Sequence, residues 1–430
     1  MTTPTLSSGL SSVSKLRVSL KWDSQVTLEV GTLAKNAVGR IAFEYSPSWL
    51  ESQPHSLSPF KLDNRGGVQL AQTERTPFNG LFGAFSDSLP DGWGLLLMER
   101  GLRRLGVAFE ETTALDHLAW VGQRAMGALC YEPCYEFTDQ SKIRVDLERL
   151  NTESQKILTG RTSAVLTQLI ALGGSPGGAR PKVMVGVQTK RLKGDTYQGD
   201  LVSGNESLLP SGFEHWLLKF RSPSDHPEDT LIEYLYSLTA RKVGLEVEPT
   251  ALFQGKNGHI WFGMRRFDRA SGGARVHMHS LAGLLHANFR LPSLDYQSLL
   301  KVTQVLTKSM KETEQAFRLA IFNAEFHNRD DHAKNFSFLM NRQGEWHLSP
   351  SYDLTWSAGM GGEHATSYCG EGKSPGLSQY LKLAASVGLP EKRAREVITE
   401  VQSGRSSLLK SAREFGVKSL LKKMGGKSLA

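Results

Sequence analysis

Between Asn328 and Leu339 the chain reads Asn-Arg-Asp-Asp-His-Ala-Lys-Asn-Phe-Ser-Phe-Leu. Asp330 and Asn335 have the spacing at which a phosphoryl-transfer loop holds a base for an acceptor hydroxyl and an amide oxygen for magnesium. Phe336, Phe338 and Met340 then alternate, Asn341 to Glu345 form a polar turn, and Trp346 to Leu348 make a second apolar run. That pattern predicts a β-hairpin. Its far end delivers Tyr352-Asp353-Leu354, which would return a second carboxylate to the loop. Taken alone, Asp, Asn and His also gather in turns, where their short side chains bond nearby backbone.

The upstream order gives the loop its weight. Gly173-Gly-Ser-Pro-Gly-Gly-Ala-Arg-Pro-Lys182 is a Gly-rich stretch running into a strand. Successive backbone N–H groups there can cradle phosphate oxygens, although no Lys-Ser or Lys-Thr stands at the Walker A offset. Lys219 lies in the apolar strand Glu214-His-Trp-Leu-Leu-Lys-Phe, where an ammonium is costly unless paired. Glu233 follows in the first turns of a helix after Asp229, the layout of a strand lysine held by a helix glutamate. Phe262 to Arg269 would connect two lobes, with backbone from Met264 to Phe267 available to an adenine edge. Each signal has a plain reading, a flexible turn or a snorkelling lysine; their order is what one mechanism demands.

These residues need a strand-rich lobe followed by a helical one, an α+β, bilobal, protein-kinase-like fold. Residues 1–14, rich in Ser and Thr, read as a disordered tail. A β-rich N-terminal subdomain spans 15–140, with alternation through Leu16, Val18 and Leu20, a helix over about Leu95 to Leu105 and another over Leu115 to Val121. The second region, 150–265, carries strands over Val183 to Val187, Trp216 to Phe220, Thr250 to Phe253 and His259 to Met264, with a helix over Thr230 to Val243. Helices dominate 266–425, and Lys410 to Ala430 reads as a solvated terminal helix or a phosphate-contacting tail.

Composition bounds the class. The 430 residues exceed what a single core usually serves. A formal charge of +8, from 51 basic and 43 acidic residues, favours a phosphate-rich partner without naming one. The three cysteines build neither a disulfide framework nor a zinc site, which points to a reducing cytoplasm. No apolar run approaches a membrane span, and no signal pattern opens the chain.

Phe78-Asn-Gly-Leu-Phe, Leu89-Pro-Asp-Gly-Trp-Gly, Ser175-Pro-Gly-Gly-Ala-Arg-Pro-Lys182, Arg266-Phe-Asp-Arg269, Asn328-x-Asp330-x-His332-x-x-Asn335-Phe336 and Tyr352-Asp353 together resemble the HipA family of bacterial kinase toxins. The resemblance implies an ATP- and Mg²⁺-dependent protein serine/threonine kinase. Asp330, His332 and Asn335 would form the catalytic loop, with Asp330 the base and Asn335 and Asp353 the magnesium ligands. Lys219, Gly177, Gly178, Lys182, Glu233, Met264 and Phe267 would contact ATP, and Ser175 would be both a loop contact and an autophosphorylated regulatory serine. A HipB-like helix-turn-helix antitoxin, DNA through that complex, and a protein acceptor such as an aminoacyl-tRNA synthetase are implied as partners. Arg180-Pro181 replaces the Gln-Glu of some members, and Asp331 offers a second acid beside Asp330. A small-molecule kinase, a nuclease using Asp330, Asp331 and Asp353, and a DNA-binding pseudokinase are the competing readings.

Overall fold

A computed structural model describes residues 12–53, 55–72, 75–135, 145–173, 177–205 and 208–424. They fall into two compact units. The first takes the residues up to Asp225 together with Ala251–His279 and Gly283–His286; the second takes His226–Thr250, Ser280–Ala282 and Ala287 onward. Most of the tail expected at 1–14 lies outside the described residues, but the Val13 N–H already donates to Asp116 Oδ1 at 2.7 Å.

The first unit contains two sheets. β1 (Lys15–Lys21), β2 (Thr27–Lys35), β3 (Ile41–Tyr45), β4 (Gln69–Leu70) and β5 (Leu129–Glu132) are ordered β4-β3-β2-β1-β5. The period-two pattern is expressed as expected, with Leu16, Val18 and Leu20 fully buried. The second sheet has seven strands: β6 (Lys182–Gln188), β7 (Leu192–Lys193), β8 (Thr196–Tyr197), β9 (Leu201–Ser203), β10 (Phe213–Lys219), β11 (Thr250–Gln254) and β12 (Ile260–Arg265). Their order is β7-β8-β11-β12-β10-β6-β9. β6 is buried from Lys182 to Val187, as suits a strand covered on both faces.

Helices Gly92–Arg104 and Leu166–Gly173 pack with this sheet, and Trp93, Leu97, Leu169, Ile170, Val183, Val185 and Trp216 share one core. A helix over Leu147–Leu158, not expected from the sequence, starts in the gap between the two regions read there and runs into the second. Its polar composition hides it, because only Leu150, Glu153, Ser154 and Ile157 are buried.

The second unit is mostly helical: Asp229–Lys242, Tyr296–Thr307, Met310–Glu325, Leu377–Ala385, Glu391–Glu414 and Lys418–Lys423. Helix Met310–Glu325 is central, buried without a break from Ala316 to Ala324. The expected hairpin forms from Ser337–Met340 and Trp346–Leu348, with Phe338 opposite Leu348 and Met340 opposite Trp346. The C-terminal segment corrects the solvated reading. Leu408, Ala412, Val417, Leu420 and Met424 are all buried, so one stripe of its basic helices packs inward while the lysines cover the outside. Among the described residues no helix is long and apolar enough to cross a membrane.

Candidate active site

In the second unit the candidate catalytic loop runs from Asp330 through His332 into a short 3₁₀ turn, Ala333–Asn335, between helix Met310–Glu325 and the hairpin. The Asp330 side chain is 64% exposed. His332 Nε2 stands 3.9 Å from Asp330 Oδ1, too far for a hydrogen bond. The Asn335 amide nitrogen donates to the Asp330 carbonyl at 2.7 Å, which fixes the amide plane and turns Oδ1 the other way. Asp353 adopts a left-handed φ of 54°, a backbone state that Asp tolerates better than most residues and that recurs at functional positions.

Tyr352 ties these parts together, and sequence reasoning gave it no role. Its hydroxyl donates to the Lys334 carbonyl at 2.7 Å and lies 2.6 Å from the Ser337 hydroxyl. The phenol of the residue before Asp353 is therefore bonded to the backbone of the residue before Asn335.

Asp331 is a different kind of acid from its neighbour. It is 1% exposed. Its Oδ2 accepts from the Tyr296 hydroxyl at 2.8 Å and bonds His364 Nδ1 at 2.7 Å. Its Oδ1 accepts from the backbone of Ala365 at 2.8 Å and Thr366 at 3.3 Å. The buried chain continues from Tyr296 to Asn323 and on to Asn328. Burial pushes the Tyr296 hydroxyl well above its ordinary pKa, so it stays a donor. Asp331 is thus a structural acceptor beneath the loop, and the nuclease reading that needed it as a ligand loses that ligand.

The first unit carries the phosphate-contacting candidates. Lys182 and Lys219 are direct partners across β6 and β10, and Lys219 Nζ lies 5.8 Å from the Phe262 ring centroid. Like charges directly opposite in a sheet are unfavourable by themselves. Lys182 is buried, and its ammonium donates to the Gly177 carbonyl. Gly177 and Gly178 lie just before β6, whereas Ser175 lies outside the described residues. Arg180 pairs with Asp225 at 3.0 Å. Glu233 is buried on helix Asp229–Lys242 of the second unit.

Met264 sits on β12 opposite Leu217, and Phe267 follows that strand, both half-buried. Around them the Arg-Phe-Asp-Arg run does something unforeseen. Arg266 reaches Asp268 through two bonds of 2.9 and 2.8 Å, Arg269 reaches it at 2.7 Å, and the Gly127 N–H donates to it at 2.7 Å. Arg269 also bonds the carbonyls of Gly127 and Ala125. Read as an interlobe segment, this run in fact spends its charged side chains on a buried clamp to the N-terminal subdomain. The two arginines hold the Asp268 carboxyl far below its usual range, against the opposing effect of burial.

Two family models match the chain. The HipA N-terminal domain matches residues 25–132, and the HipA-like C-terminal domain matches residues 174–407. The chain belongs to the HipA family. HipA of Shewanella oneidensis MR-1, solved with HipB and operator DNA as a toxin–antitoxin system, superposes with a TM-score of 0.67 at 17% identity, over 95% of this chain and 94% of that one. At that identity the likeness shows the fold, which is the kinase-like α+β fold of HipA. A Helicobacter pylori proinflammatory kinase, CtkA, matches at a TM-score of 0.30 and 11% identity over 45% of this chain and 86% of that one, too low to carry a structural argument.

Within this HipA-family fold, the donor set can be tested against the metal the family implies. Among the described residues no group of three or more His, Cys, Asp or Glu side chains is placed to hold an ion. One carboxylate and one amide oxygen, Asp353 and Asn335, suit Mg²⁺, which keeps waters and shares phosphate oxygens instead of filling a protein cage.

Proposed function

We propose that this HipA-family chain is an ATP- and Mg²⁺-dependent protein serine/threonine kinase that acts as the toxin of a toxin–antitoxin pair. The observation that carries the reading is the contrast between adjacent acids: the Asp330 side chain is 64% exposed, while Asp331 is buried and committed to a hydrogen-bonded network. A transfer loop needs one mobile-facing base and a rigid floor, and this pair supplies both. Asp330 would orient the acceptor hydroxyl and accept its proton as the hydroxyl oxygen bonds to the γ-phosphorus and the bond to the ADP oxygen breaks. Lys182, Lys219 and the Gly177–Gly178 backbone would hold the phosphate chain, with Glu233, Met264 and Phe267 completing the nucleotide contacts. Asn335 and Asp353 would hold Mg²⁺, which neutralises charge on the transferring phosphoryl group when bound. Positioning and charge neutralisation then do most of the work, with no covalent enzyme intermediate.

The partners belong to the same proposal: a small helix-turn-helix antitoxin like the HipB of the Shewanella complex, operator DNA through it, and a translation component as acceptor. Ser175 is the proposed autophosphorylation site, and the cytoplasm the proposed location. The test is transfer of labelled phosphate from Mg²⁺-ATP to the chain itself and to a cell lysate, run beside Asp330→Asn and Asp353→Asn. Both variants should lose transfer while melting like the wild type. Full transfer in either one refutes the assignment, and label found only on small molecules would replace the protein-kinase reading.

A further inference from the structure

Asp91 stands at the N-cap of helix Gly92–Arg104, yet its side chain makes no cap bond to that helix. Its carboxylate instead accepts the N–H of Gly178. The Trp93 N–H donates back to the Gly178 carbonyl at 3.0 Å. Both backbone groups of Gly178 are therefore held by one turn of the N-terminal subdomain. Gly92, at a φ of 44°, permits the approach: a Cβ there would stand 2.5 Å from the Gly178 oxygen and 2.8 Å from the Ala179 nitrogen. The same carboxylate overlies Gly177, where a Cβ would fall 3.1 Å from Oδ1. On the other side Lys182 bonds the Gly177 carbonyl, and Lys182 is the cross-strand partner of Lys219. All of these residues lie in the first unit.

We propose that Asp91 is a positioning residue, fixing the Gly177–Gly178 end of the phosphate-binding stretch from the N-terminal subdomain and thereby setting nucleotide affinity. The proposal rests on the kinase reading above. Two adjacent glycines have the largest backbone freedom to lose on ordering. Holding them in place before ATP arrives removes that cost from binding, which is how preorganisation raises affinity. The turn does this through an acceptor oxygen at Asp91 and a backbone donor at Trp93. An asparagine can keep the acceptor, whereas an alanine cannot. A helix N-cap normally spends its side chain on its own first turn; diverting it to Gly178 couples the subdomain to the loop. A carboxylate that merely occupied the place of a phosphate would have the opposite effect, since its removal would free the Gly178 N–H for the nucleotide.

The experiment uses the full chain, with Mg²⁺-ATP binding followed by calorimetry, steady-state kinetics, and hydrogen exchange of residues 177–182 without nucleotide. Asp91→Ala should raise the Kd and KM for ATP about tenfold, the scale of one charge-assisted hydrogen bond, with kcat near the wild-type value. Asp91→Asn should recover most of that loss. Exchange at Gly178 should quicken in the alanine variant and slow again in the asparagine variant. Tighter ATP binding in either variant overturns the proposal, because the carboxylate is then a competitor. Unchanged exchange in Asp91→Ala overturns it as well. A wild-type chain that binds no ATP sinks the kinase reading and the affinity claim with it, while the exchange comparison still decides whether Asp91 holds the loop.

Discussion

Replacing Asp331 and replacing Asp330 should have opposite consequences, although the two residues are neighbours of identical chemistry. Asp331→Ala removes the acceptor of four buried or half-buried donors, at 2.7 to 3.3 Å, from Tyr296, His364, Ala365 and Thr366. Each stranded donor costs about 1–3 kcal/mol, but neighbours in one network do not add. Breaking a buried charged centre by removing one side costs about 3–5 kcal/mol, so a total of about 4 kcal/mol is expected. At about 2.1 cal/mol/K per residue, a chain of 430 residues answers that loss with a melting temperature lower by roughly 4–5 °C. Asp331→Asn should fall between, because its amide keeps one acceptor and turns a donor toward Tyr296 or His364. Asp330→Asn, on a side chain 64% exposed, should shift stability by no more than about 0.5 kcal/mol and abolish phosphoryl transfer. Thermal melting and labelled-ATP transfer on the same preparations decide the matter. If Asp330→Asn melts as early as Asp331→Ala, or if Asp331→Asn keeps its melting temperature and loses transfer, the division of labour argued here is wrong.

Two further outcomes are expected. His277 and His215 are buried, and burial lowers their pKa values to about 3 and about 4; both are depressed below the ordinary 6.5, so the stability from keeping them neutral is present above pH 6.5 and lost as the pH falls. At pH 5 each should have given up about 2 kcal/mol relative to pH 7, and urea unfolding that is flat between those values would contradict the burial argument. Asp268→Asn should cost about 3–5 kcal/mol, because it leaves Arg266 and Arg269 buried around a neutral partner; a melting temperature within a degree or two of the wild type would show that the clamp carries no load.

Local sequence determined the elements and the order of the candidate groups. The alternation of β1, the hairpin after Asn335 and the helix carrying Glu233 were legible because each is a run of apolar residues at period 2 or 3.6, and such periods survive without knowledge of the partner surface. The motif spacing likewise led to the expectation that Asp330, Asn335 and Asp353 share one neighbourhood, since a hairpin of the kind found here returns the chain toward its start. What sequence left undecided was which side chain faces what. Asp330 and Asp331 are indistinguishable in one dimension, and only the packing of Tyr296 and His364, from segments on either side, buries one and leaves the other open. Asp91 has no role in the sequence reading, and it gains one only when Gly178 is brought to it from far along the chain. The basic C-terminal helices look solvated until the apolar stripe finds its core. In each case the deciding interaction is a long-range hydrogen bond or a buried contact, whose energy depends on desolvation by residues distant in sequence, and no local pattern encodes that.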